Sequence, residues 1–148
     1  MLLVPGFMLD DGLWRYVAPG LLPFGPIHHA GLTQDATFED MARRALQRAP
    51  PVFVLVGFSM GGYVAREILR QEPNRVAGLI LIATSARGDN EVQARRKAAL
   101  AGQTEASAFR GLSASAISSS LHPDSVDRAD LIASIQSMSQ RLGGGVVG

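Results

Sequence analysis

Val52-Phe53-Val54-Leu55-Val56 is an unbroken apolar run, three of its five members valine, and it leads straight into Gly57-Phe58-Ser59-Met60-Gly61. Opened by Pro50-Pro51, a run of this length and composition predicts a parallel strand covered on both faces. Beyond the serine, Tyr63 to Arg70 has helical spacing, with Val64, Ile68 and Leu69 along one side, and Pro73-Asn74 ends it. Strand, serine and helix follow one another with no spacer, so the chain must turn sharply at Ser59. Side chains at 57 and 61 would collide with the sheet or the helix at such a corner, which gives both glycines a mechanical reason.

A serine held this way stands above the end of the sheet. The helix starting at Met60 points free N–H groups and its positive end toward it. The G-x-S-x-G pattern is a weak signal alone, and the flanking strand and helix give it meaning. The reading is serine chemistry at a nucleophile elbow, against a glycine-rich β–α turn with an incidental serine.

The 148 residues suit one domain with a real core. With 47% apolar residues, 18% charged residues and a net charge of +1, the composition is globular and makes no case for nucleic acid. Arg43-Arg44 and Arg95-Arg96-Lys97 read as solvated helix faces. The absence of cysteine excludes disulfides, thiol catalysis and cysteine-ligated metals. His28, His29 and His122 lack metal-ligand spacing. No cofactor is implied. Met1 to Gly6 lacks the basic region of a secretion signal, and no apolar stretch approaches membrane-spanning length, so a cytoplasmic protein is expected.

Met1 to Val4 is read as a strand, Leu13 to Val17 as a helical piece, and Pro26 to Ala30 as a second strand. Thr37 caps a helix whose buried stripe is Phe38, Met41, Ala42, Ala45 and Leu46. Val76 to Ala83 is a further strand. Strand–helix alternation argues for an α/β fold with a mostly parallel sheet of about four strands. After it, helical patterns cover Asp89–Leu100 and Glu105–Leu112. Ser113–Ser120 is a weak helix or a connection, and a last amphipathic helix runs from about Ser125, with Leu131, Ile135, Met138 and Leu142 on one side.

Leu3-Val4-Pro5-Gly6-Phe7 with Trp14 downstream, Gly57 to Gly62, and Arg75 to Ala83 together resemble the α/β-hydrolase superfamily. The resemblance implies an esterase-like serine hydrolase acting on a small-molecule ester or similar acyl substrate. It implies Ser59 as nucleophile and the Phe7 and Met60 backbone N–H groups as oxyanion-hole donors. Fixed main-chain donors suit the negative charge that acyl transfer places on the carbonyl oxygen. Residues 1–86 are expected to form a truncated hydrolase core and 87–148 a helical region like the family's cap, the whole being one structural unit.

A serine nucleophile needs a base and an orienting acid, which in this superfamily follow it in the order acid, histidine. No strand-like run follows Ala83 and no histidine follows His122. Asp89 and His122 have the right order, but His122 belongs by resemblance to the cap. His28 and His29 read as a strand edge, and Asp10 and Asp11 as turn residues. Val76 to Ala83 presents apolar residues to both faces with no later strand to cover it, which predicts an exposed edge open to self-association. The expectation is a truncated hydrolase of doubtful activity. The alternative is an inactive fragment or a binding module that pairs through that edge.

Overall fold

The computed structural model describes residues 1–87 and 111–143. Contacts divide the chain into two compact units, Met1–Thr84 and Ser85–Gly148.

The first unit is a four-stranded, all-parallel sheet. Its strands are β1 (Leu2–Val4), β2 (His28–His29), β3 (Phe53–Phe58) and β4 (Val76–Ile82), in the spatial order β2-β1-β3-β4. Three α-helices accompany them: α1 (Ala18–Leu21), α2 (Phe38–Arg48) and α3 (Met60–Gln71). This is the α/β architecture expected from strand–helix alternation, in partial form.

Strand alternation sorts the core into two layers. Leu2, Val4, Phe53 and Leu55 pack with Met41, Ala42, Ala45 and Leu46 of α2 and Val64, Ala65 and Ile68 of α3. Leu3 and Val56 turn to the opposite side and cluster with Trp14, flanked by Leu13, Leu21, Ile27 and Phe58. The sheet is thus covered on both faces at β1 and β3, as the apolar runs require.

Helix α2 starts where its sequence says it should. Thr37 is extended (φ −118°, ψ 150°), its Oγ1 accepts from the Asp40 N–H at 3.1 Å, and Glu39 and Asp40 occupy the first turn. Its far end is closed from a distance. The Arg75 guanidinium donates to the carbonyl oxygens of Leu46, Ala49, Pro50 and Pro51 at 2.9–3.3 Å and lies over the Phe53 ring. Helix-end carbonyls that lack partners are thereby tied to the start of β4, beside a register shift between Phe53 and Val54.

Several boundaries differ from the sequence reading. Phe38 is 44% exposed: it sits at the first position of α2 and stacks on Tyr63 of α3 at 5.7 Å. Val52 is exposed outside β3. Leu13 to Val17 is not one helix; a 3₁₀ turn at Asp11–Trp14, α1 and a second 3₁₀ turn at Leu22–Phe24 follow one another, with Pro19 and Pro23 resetting the chain each time. The Pro26–Ala30 strand shrinks to two residues.

In the second unit, Ser113 caps α4 (Ala114–Ser118), accepting from the Ala116 N–H at 3.2 Å. Helix α5 (Ala129–Gly143) follows a 3₁₀ turn at Pro123–Ser125 and buries Met138 and Ser139. The Ser139 hydroxyl accepts from the Leu112 N–H and donates to the Gln136 carbonyl, both at 2.9 Å. The helices expected over Asp89–Leu100 and most of Glu105–Leu112 lie outside the described residues.

Candidate active site

Ser59 is the single residue between β3 and α3. Its backbone has φ 52° and ψ −119°, outside the left-handed well and sterically costly for any side chain, by about 1–3 kcal/mol. Neighbouring groups hold it there. The Ser59 N–H donates to the Ile82 carbonyl and the Ser59 carbonyl accepts from the Gly62 N–H, each at 2.9 Å.

Close approach of backbone explains the flanking glycines. A Cβ at Gly57 would lie 2.7 Å from the Gly61 carbonyl oxygen and 2.9 Å from Ala65 Cβ, and one at Gly61 would overlap the carbonyls of Val4 and Pro5. Helix α3 is seated directly on the ends of β1 and β3. Met60 and Gly61, in its first turn, have N–H groups with no intrahelical acceptor.

Register places the second loop. Val4 pairs with Gly57, so Pro5-Gly6-Phe7 leaves β1 beside Phe58-Ser59. A Cβ built on Gly6 would lie 3.3 Å from Ser59 Cβ and 3.2 Å from Phe58 Cδ1. Gly6 to Leu9 forms a turn closed by the Leu9 N–H on the Gly6 carbonyl at 3.2 Å, with Met8 at φ 56°, where glycine is usual. Phe7 is half-exposed at 52%. Ser59, Met60 and the Gly6–Phe7 loop therefore meet at the carboxyl edge of the sheet, where open parallel sheets bind ligands.

Met8, Ser59 and Ala83 are the non-glycine residues with positive φ among those described (56°, 52° and 51°). They follow β1, β3 and β4, three adjacent strands. Strain concentrated along one edge is a pattern found at functional sites. The sequence offered no signal for it at Met8 or Ala83, since neither residue type favours that conformation.

Other candidates fall elsewhere. His29 pairs, through Leu3, with the level of Val56, two strands across and three residues short of Ser59, about 14 Å away by strand geometry. His28 is a residue further. His122 is exposed, and its Nδ1 accepts from the Asp124 N–H at 3.3 Å as the cap of a 3₁₀ turn. Asp10 caps the Asp11–Trp14 turn, accepting from the Gly12 N–H at 3.0 Å. Asp89 lies outside the described residues. Trp14 is buried at 4% exposure, in the core cluster with Leu3 and Val56. Among the described residues no group of His, Asp and Glu could hold a metal ion, and no helix is long and apolar enough to cross a membrane.

Comparison with known proteins bears on the family and the fold. The chain is 34% identical over 93 residues to the pimeloyl-[acyl-carrier protein] methyl ester esterase of Yersinia pseudotuberculosis serotype O:1b (strain IP 31758), covering 57% of this chain and 36% of that protein. The enzyme of the same name from Sodalis glossinidius (strain morsitans) is 33% identical over 95 residues, covering 59% and 37%. The chain thus spans little more than a third of the length of these relatives. A thermophilic esterase from Thermogutta terrifontis, solved with malate bound, superposes with a TM-score of 0.72 at 26% identity over 96% of this chain and 58% of that one. Est816, an N-acyl homoserine lactone degrading enzyme, shares the fold alone, at TM-score 0.58 and 16% identity over 97% of this chain and 61% of that one. A family model described as alpha/beta hydrolase family matches residues 1–145, and the chain belongs to that family.

Proposed function

We propose that this chain carries the nucleophile and oxyanion-binding part of a serine esterase site for a carboxylic ester or similar acyl substrate. The observation that carries the reading is Ser59 itself: a half-buried serine in a strained backbone conformation at the β3–α3 corner, with Gly6 against its Cβ. Ser59 Oγ attacks the ester carbonyl carbon. The Met60 and Phe7 amides stabilise the oxyanion, a contribution worth about 3 kcal/mol per donor in comparable sites. The C–O bond to the leaving alcohol then breaks and the acyl group stays on Ser59. Esterases among both the sequence relatives and the structural neighbours support the class of substrate. The second unit is the helical cap in this reading, and the setting is cytoplasmic.

No base is brought to Ser59 from β2, so the serine proton passes to water in the first unit taken alone. That favours substrates with good leaving groups, which need no general acid. A p-nitrophenyl acetate assay tests the reading: the wild type releases p-nitrophenolate faster than Ser59→Ala, and equal rates would remove the enzymatic claim.

A separate observation favours a second reading. Among the described residues strand β4 is the sheet edge, and Ile80, Leu81 and Ile82 are 49%, 41% and 41% exposed. No charged residue interrupts Val76 to Thr84, so the edge lacks the charges that usually guard against pairing. In this reading the chain is catalytically inert and associates with a second copy through β4. Concentration-dependent sedimentation of the wild type distinguishes it from a monomeric esterase.

A further inference from the structure

Beyond β4 the chain turns at Ala83, φ 51°, and sets Thr84 against the first turn of α3. A Cβ at Gly62 would meet three side-chain atoms of Thr84: Cβ at 2.7 Å, Cγ2 at 2.5 Å, and Oγ1 closer still. Gly62 is the residue whose N–H closes on the Ser59 carbonyl at 2.9 Å. The two γ branches of Thr84 therefore bear on the residue that fixes the Ser59 peptide, from the strand whose Ile82 carbonyl fixes the Ser59 N–H. Thr84 Oγ1 is buried and has no hydrogen-bond partner. A hydroxyl in that situation is a cost rather than a contribution, so any effect of the side chain comes from its shape.

We propose that Thr84 is a positioning residue for the Ser59 corner: its two γ branches bear on Gly62 and so fix the Met60–Gly62 turn beneath the serine. The functional consequence rests on the reading of Ser59 as nucleophile; the geometric one does not. Valine reproduces the branched shape without the hydroxyl. Serine keeps the hydroxyl and loses one branch, and alanine loses both.

The experiment compares amide hydrogen exchange and Ser59 acylation by p-nitrophenyl acetate in wild type, Thr84→Val, Thr84→Ser and Thr84→Ala. Local opening free energies govern exchange, so Ser and Ala should speed exchange across residues 59–63 about tenfold while Val stays near wild type, with β1 and the C-terminal half of α3 unchanged. Acylation should follow the same order, fast in wild type and Val, slower in Ser and Ala. Val behaving like Ala while Ser behaves like wild type would overturn the proposal in favour of the hydroxyl. Equal exchange in all four proteins would overturn it outright. Absence of acylation in wild type with the exchange pattern intact would instead remove the nucleophile reading and leave the positioning role standing.

Discussion

The Ser59 backbone N–H donates to the Ile82 carbonyl oxygen at 2.9 Å, which makes the serine corner the last rung of the β3–β4 ladder. That bond occupies the serine's own amide, so under the proposed esterase reading the oxyanion donors are the Met60 and Phe7 amides and not that of Ser59. It also holds a strained residue at the end of a six-residue strand rather than in a loop.

The other side of the corner rests on β1. Because a methyl at Gly61 would overlap the Val4 and Pro5 carbonyls, and backbone cannot yield as a side chain can, Gly61→Ala should destabilise the protein by about 3 kcal/mol or more. Urea denaturation of wild type and variant checks this. A loss below half that value would show that α3 can lift from β1.

Arg75 supplies the second long-range tie. Removing its bonds to four carbonyls at and just beyond the end of α2 should cost about 1.5–3 kcal/mol in Arg75→Ala, since hydrogen bonds to charged groups lie in that range. Lysine cannot reach several acceptors from one planar fork, so Arg75→Lys should recover less than half of the loss in the same denaturation experiment.

On α3, the Arg70 guanidinium donates to both oxygens of Glu67, and Gln71 adds a bond at 3.0 Å. Arg70 first, then Gln71, hold the Glu67 carboxyl down to about 2 from an ordinary 4.5. A folded-state value below the unfolded one means the stabilisation is complete above 4.5 and is lost as pH falls from there through about 2. The stability gap between wild type and Glu67→Gln should therefore close across that window. It should be small and shrink in salt, because Arg70 is exposed. A gap that persists below that window would contradict the assignment.

The exposed β4 edge gives the pairing reading a direct check. Leu81→Lys places a charge among the apolar residues of the edge and should abolish any concentration-dependent association seen by sedimentation. Association that survives the substitution would place the contact elsewhere.

Much of this was legible in the residues. The valine-rich run, the flanking glycines and the capped helices each follow from local chemistry, and β1, α2, β3, α3 and β4 form close to where periodicity puts them. Where tertiary geometry decides, the sequence was silent. Phe38 fits the apolar stripe of α2 by spacing but is exposed and stacks on Tyr63 instead of joining the core cluster. Met8 and Ala83 adopt positive φ because the strand ends around them demand it, and nothing in their side chains announces this. Thr84 reads as an ordinary residue after a strand until Gly62 is found beneath it.

Peptide mapping by mass spectrometry after brief exposure to p-nitrophenyl acetate tests the central claim most directly. With a leaving group that needs no protonation and no described base for deacylation, an acetyl group should accumulate on Ser59 and be absent from Ser59→Ala. An unmodified Ser59, or p-nitrophenolate release that Ser59→Ala leaves unchanged, would contradict the account.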